Sequence, residues 1–183
     1  MAVVIIIVLA FQAQQSGNPS LNTNDNTNTL ASTLPAGWKQ YDDATTSLSF
    51  QYPEQFGANV WRPQFWPPKV IVIPGTLDPL LNGCQTDLEE KPVEQTKTLA
   101  GTTYTEWTSS GIGAGSLYNS YCYVATKNDK NYIFSFLIQS HSGCGDGNCG
   151  AYCGTPNETE CKNLDRHAAY EQPIDDIVAT AKF

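Results

Sequence analysis

Six cysteines constrain this chain more than any other feature: Cys84, Cys122, Cys144, Cys149, Cys153 and Cys161, four of them between positions 144 and 161. An even count reads as three disulfides, and spacing alone leaves their connectivity open. Disulfides persist in oxidising compartments, so the chain is expected to work outside the cytosol. Zinc is the rival reading. The last four cysteines run C-x4-C-x3-C-x7-C, with His141 just ahead. Cys149 and Cys153 have knuckle spacing, but no second pair stands at a matching interval. Iron–sulfur spacings do not fit either. All six are therefore read as disulfide partners, with no metal and no cofactor.

The N-terminal 35 residues support the same compartment. Residues 2–11 (AVVIIIVLAF) form an uncharged apolar run. It is shorter than the roughly 20 residues that span a bilayer, but it has the length of a signal-peptide core. No Lys or Arg precedes it, so residues 1–11 read as a signal or anchor segment with a truncated start. The competing reading is a buried strand of Val and Ile. Residues 12–35 are built from Gln, Asn, Ser, Thr and small residues, with Asp25 the only charge. Such a stretch cannot bury enough surface to offset backbone ordering and reads as a disordered tether. Its Asn/Asp series faintly resembles a calcium loop but lacks the central Gly and terminal Glu. Residues 36–183 then form one domain.

Charge and aromatic content exclude several classes. Ten Lys+Arg against 18 Asp+Glu give a net charge of −8. A nucleic-acid binder needs a basic face, so none is expected. Four Trp, nine Tyr and seven Phe give the chain a core to bury, which argues against wholesale disorder.

From residue 36 onward the apolar pattern has period two. Leu48, Phe50 and Tyr52 mark a half-buried strand ended by Pro53, and residues 69–73 (KVIVI) one stopped by Pro74-Gly75. Residues 102–109 and 117–126 read as strands joined by a loop at 111–115, and Asn128-Asp129 turns the chain into 132–138 (YIFSFLI). Tyr132, Phe134, Phe136 and Ile138 share one face of that strand, while Ile133 and Leu137 share the other. With both faces apolar it belongs at the centre of a sheet, covered on each side. Ile174, Ile177, Val178 and Ala181 recur at helical spacing, with Pro173 in the first turn and Asp175 and Asp176 complementing the helix dipole. Another helical stretch is expected at 164–170. The fold class is α+β: an antiparallel meander flanked by helices, with a disulfide-rich C-terminal insertion.

Two segments carry a resemblance. Trp38-Lys39-Gln40-Tyr41 followed by Leu48-Ser49-Phe50-Gln51-Tyr52-Pro53 resembles the aromatic strand ending in Tyr-Pro that opens PsbP-like domains. The close, residues 174–183, is similar to the terminal helix and short strand of small exported bacterial proteins of that type. The resemblance spans residues 36–183 and implies an antiparallel sheet flanked by helices, without catalytic activity. The insertion between Cys144 and Cys161 and the tether depart from the photosynthetic members, and no photosystem role is carried over.

Catalytic signals are weak. Residues 111–116 (GIGAGS) lack the Lys and the following helix that a phosphate cradle needs. His141 and His167 are the two histidines, and the acidic run Asp87, Glu89, Glu90 reads as a solvated loop. Asn157-Glu158-Thr159 is a formal glycosylation sequon. The segment at 61–68 (WRPQFWPP) stands apart: its prolines are expected to keep it out of the sheet as an irregular surface connection. Trp61, Arg62, Phe65 and Trp66 are therefore the nominated contact residues, for a protein or glycan partner. The expected function is a non-enzymatic binding or accessory module, secreted or membrane-tethered on the outside of a bacterial membrane. A pilin-like structural subunit and a hydrolase or thiol enzyme are the alternatives.

Overall fold

The chain separates into two units, Met1–Ser32 and Thr33–Phe183. In the second, the structure, a computed structural model, describes residues 34–84, 91–145, 147–164 and 168–183. The expected anchor at 1–11, residues 12–33 of the tether, the carboxylates at 87, 89 and 90, and His167 lie outside the described residues.

The α+β architecture is as expected. In chain order the strands are β1 (Trp38–Asp43), β2 (Leu48–Pro53), β3 (Trp61–Pro63), β4 (Lys69–Pro74), β5 (Val93–Leu99), β6 (Thr102–Gly113), β7 (Ser116–Lys127), β8 (Lys130–Ser140), β9 (Cys144–Gly145) and β10 (Asn148–Cys149). The helices are α1 (Glu158–Lys162) and α2 (Ala168–Val178). Strands β5 to β8 run as an antiparallel meander, extended beyond β8 by β3 and β4. Each meander connection has two residues of positive φ: Ala100-Gly101, Ala114-Gly115 and Asn128-Asp129. Paired left-handed residues make the tight turn whose twist matches its strands. Asn128-Asp129 is legible in sequence, whereas the other two turns begin with alanine, which seldom adopts positive φ.

Two sequence expectations are corrected here. The loop expected at 111–115 shrinks to Ala114-Gly115, because Gly111 and Gly113 stay in β6 opposite Tyr118 and Ser116. A Cβ on Gly113 would lie 3.2 Å from the Tyr118 ring, so glycine there serves close ring packing. Of the stretch expected at 164–170, residues 168–170 belong to the same helix as Ile174–Val178, α2, with Pro173 in its interior rather than its first turn. Asp175 and Asp176 consequently sit past the N-terminal turn, where the helix dipole no longer acts on them.

Strand β8 lies inside the sheet, between β7 on one side and β3 and β4 on the other. Its Tyr132, Phe134, Phe136 and Ile138 are buried on the face covered by α2 and the β1–β2 hairpin. Phe50 meets Phe134 edge-on at 5.4 Å, and Phe183 meets Tyr132 at 4.7 Å. Reciprocal backbone bonds between Ser49 and Lys182, 3.0 and 2.8 Å, tie the C-terminus to β2. On the opposite face Ile133 is fully buried among Val124, Ile71, Ile73, Leu80 and Trp107. Its lid is a single π-helical turn, Leu80–Cys84, and the Cys84–Cys122 bridge fastens that turn to β7. A Cβ on Gly83 would come within 2.5 Å of Ile133 Cδ1, so the turn sits directly on the strand.

The insertion is closed by Cys144–Cys161 and Cys149–Cys153, and no cysteine is free. Cys144, Cys161 and Leu164 reach into the main core, while Gly143 N–H donates to Gly115 C=O at 2.7 Å. Three disulfides fit a non-reducing, extracytoplasmic environment.

Replacing each cystine by two alanines should separate the roles of the bridges. Loop-closure entropy gives about 4 kcal/mol for the 38-residue separation of Cys84–Cys122, about 3 for the 17 of Cys144–Cys161 and about 2 for the 4 of Cys149–Cys153. Urea denaturation should rank the variants in that order. Equal losses would contradict it.

Candidate functional site

The segment expected to avoid the sheet begins as a strand, which corrects the sequence reading. Gln64 N–H donates to Leu137 C=O (2.8 Å) and His141 N–H to Val60 C=O (2.8 Å). Alternation along the ladder then turns the backbone of Trp61 and Pro63 away from β8. Proline is tolerated on an edge strand where its missing N–H would face outward. The same pairing sends alternate side chains to opposite faces. Trp61 turns inward: it is 8% exposed, with Tyr170 and Phe56 edge-on at 4.8 and 5.3 Å. Half-buried Trp66 stacks on Phe56 at 4.5 Å and donates its indole N–H to Pro53 C=O at 2.9 Å. Of the four nominated contact residues, the structure leaves Arg62 and Phe65 exposed and packs the two tryptophans into the core margin.

Arg62 opposes Gln139 in the ladder. Together with Ser116, Ser140, His141 and Ser142 they line a half-open cavity of about 210 Å³. The cavity is polar because the end of β8 runs Gln139-Ser140-His141-Ser142 after its apolar stretch. Gln139 is braced: its amide donates to Tyr118 Oη at 2.9 Å, and the Gln64 amide donates to its carbonyl oxygen. Ser140 Oγ accepts from Leu117 N–H at 2.9 Å. The His141 ring meets Tyr152 edge-on at 5.5 Å. Among the described residues, no hydrogen bond joins that ring to a serine, cysteine or carboxylate, and no acid pairs with Arg62. A second cavity, about 200 Å³, shares Ser116 and has an apolar part in Ile112, Leu117 and Cys144. A larger, more open depression, about 440 Å³, lies between the β1–β2 and β7–β8 turns beside β4.

A charged cluster lies at the β5 margin of the sheet, against α2. Lys97 Nζ lies 2.5 Å from Glu171, 3.2 Å from Asp175 and 3.2 Å from Glu106, which is wholly buried. Tyr123 Oη donates to Asp175 at 2.7 Å, and Gln95 donates to Glu106. Burial opposes the charge of Lys97, but its hydrogen bond to Glu171 and the charges of Glu106 and Asp175 outweigh it and hold the lysine above its ordinary range. Burial likewise pushes the Tyr123 phenol up, and Glu106 and Asp175 add to the effect. Tyr104 and Tyr170 are pushed up to about 12 by burial. The cluster links α2 to β5 and β6. It was not legible in sequence, because its members come from positions 95 to 175.

Two outcomes follow from this geometry. Trp61→Ala should cost about 3–5 kcal/mol as a buried ring is lost, whereas Arg62→Ala should change stability by less than about 0.5 kcal/mol. Denaturant titration checks both, and equal effects would contradict the inward placement of Trp61. Alkaline titration checks the tyrosines. An unfolded tyrosine loses its proton near pH 10, while folded Tyr104 and Tyr170 keep theirs to about 12. Their stabilising contribution is complete below about pH 10 and is lost as pH rises through about 12. Tyrosinate absorbance should therefore rise in two phases, the second coinciding with loss of structure. Complete ionisation near pH 10 with the fold intact would contradict it.

Comparison of the chain with protein-family models, with curated proteins and with solved structures found no match.

Proposed function

We propose that this protein is a non-catalytic binding module of the extracytoplasmic space, and that it holds a glycan in the groove at the end of β8. One observation carries the reading: Arg62, whose guanidinium has no acidic partner among the described residues, the braced Gln139 and the serines Ser116, Ser140 and Ser142 line one small cavity. Convergent polar groups on a rigid strand are what fixes a polyhydroxylated ligand. The guanidinium fork adds a preference for a carboxylate, since it presents planar paired donors. Exposed Phe65, two residues beyond the β3 end, offers an apolar surface close in sequence to Arg62. With every cysteine in a disulfide, a thiol nucleophile has no support. The PsbP-like resemblance points the same way, to a flanked sheet without catalysis. Attachment to a bacterial membrane through residues 1–35 completes the proposal.

Isothermal calorimetry with digalacturonate and with lactose tests it. Digalacturonate should bind more tightly than lactose, and Arg62→Ala should weaken it by roughly tenfold or more, the worth of a charge-assisted hydrogen bond. Absence of binding by both sugars, or binding that Arg62→Ala leaves unchanged, would overturn the reading.

A further inference from the structure

The six-stranded sheet has two edges, and they differ in chemistry. Along β4, Gly75 N–H donates to Asp129 C=O at 2.7 Å. Ladder alternation then turns the backbone N–H and C=O groups of Val70 and Val72 and the C=O of Pro74 away from β8. That edge is interrupted by Pro63, Pro67, Pro68 and Pro74, and prolines blunt an edge because they offer no N–H.

The β5 edge has no such protection. Its two-residue turn closes on the Leu99–Thr102 pair. Residues 93, 95, 97 and 99 thus bond to β6, and Glu94, Thr96 and Thr98 turn their N–H and C=O groups away from the sheet. Among the described residues, none of those groups has a hydrogen-bond partner. No proline lies in β5, and residues 93–96 are all exposed. A row of free donors and acceptors at strand spacing fits one kind of partner, another extended strand.

Charge selects which strand. Lys97, on β5, faces three carboxylates, Glu106, Glu171 and Asp175. One cation against three anions leaves negative charge in excess at this margin, and the Glu171 side chain is 36% exposed. A strand laid along β5 would put alternate side chains on the same face as Lys97. Lys or Arg there would meet the surplus carboxylates. A second copy of the chain would instead bring two such negative clusters to adjacent strands, about 5 Å apart, where like charges repel.

We infer that the outer edge of β5 accepts an extended basic segment of another protein as an added strand, with its Lys or Arg side chains on the Glu171–Asp175 side. This surface is separate from the groove at Arg62, so either reading can fail without the other.

The test uses the full chain and two synthetic peptides, Thr-Lys-Val-Lys-Val-Thr and its Glu-for-Lys counterpart, both capped. The Lys peptide should shift the amide resonances of Glu94, Thr96 and Thr98. Its affinity should fall several-fold between about 50 mM and about 500 mM salt, and the Glu peptide should not bind. Thr96→Pro removes only an outward N–H, so it should abolish binding while melting within a few degrees of the parent. Glu171→Gln, which leaves the β5 backbone intact, should weaken binding even if Thr96→Pro fails to fold. The proposal is overturned if the Lys peptide leaves β5 resonances unmoved, if the Glu peptide binds equally, or if Glu171→Gln binds as the parent does. It is also overturned if β5 amides shift on dilution without peptide, which would assign the edge to a second copy.

Discussion

Everything in this domain is arranged around one strand that cannot be left half-covered. β8 carries buried aromatic and aliphatic side chains on one face and a fully buried isoleucine on the other. A strand apolar on both faces needs a layer on each side, and the chain builds two very different ones. The first is conventional: α2 lays Ile174, Ile177 and Val178 on the sheet, and the β1–β2 hairpin adds Leu48 and Phe50. The second is one turn of π-helix that has too little apolar surface to hold itself in place. Its attachment is covalent, through Cys84–Cys122. The disulfide replaces the area that a second helix would have buried, which is the usual resort where a core is small.

The polar features also derive from β8 and its neighbours. Where its apolar stretch ends, Gln139, Ser140 and His141 continue the strand direction into the polar groove. The Cys144–Cys161 bridge then returns the following insertion to the core. At the far margin of the sheet the cover is charged rather than apolar. Lys97 and Asp175 join β5 to α2 above the buried Glu106. A buried carboxylate is tolerated only when its charge is matched and its oxygens are hydrogen-bonded, and Lys97 with Gln95 does both. The same arrangement is why Asp175 belongs in the middle of α2 and not at its start.

Legibility in the sequence followed periodicity. β2, β4, β7 and β8 alternate or run apolar over four residues or more, and all four were legible. β5 was not, because VEQTKTL is polar on both faces and lies at an edge. Prolines misled twice. Pro63 reads as a bar to pairing, yet an outward-facing position on an edge strand has no use for an N–H. Pro173 by itself suits a helix start, yet α2 retains it inside, with tertiary contacts from Ile174 and Ile177 overriding the local preference. At the candidate groove Arg62 and His141 stand out in the sequence, and Ser116 only as the end of the 111–116 loop. Gln139, Ser140 and Ser116 acquire a role only through strand register, and Trp61 looked like a contact residue because composition does not reveal which face a side chain takes.

The central claim is that β8, clamped from both faces, is the most stable element of the domain. Native-state amide hydrogen exchange measures this directly. Amides of Ile133, Phe134 and Phe136 should exchange only through global unfolding, slower than those of β1, β5 and α1. Removing the Cys84–Cys122 bridge should accelerate them together with Val124 on β7. If β8 amides exchange as fast as those of β1, or if losing the bridge leaves them unchanged, β8 is not the element on which the rest depends.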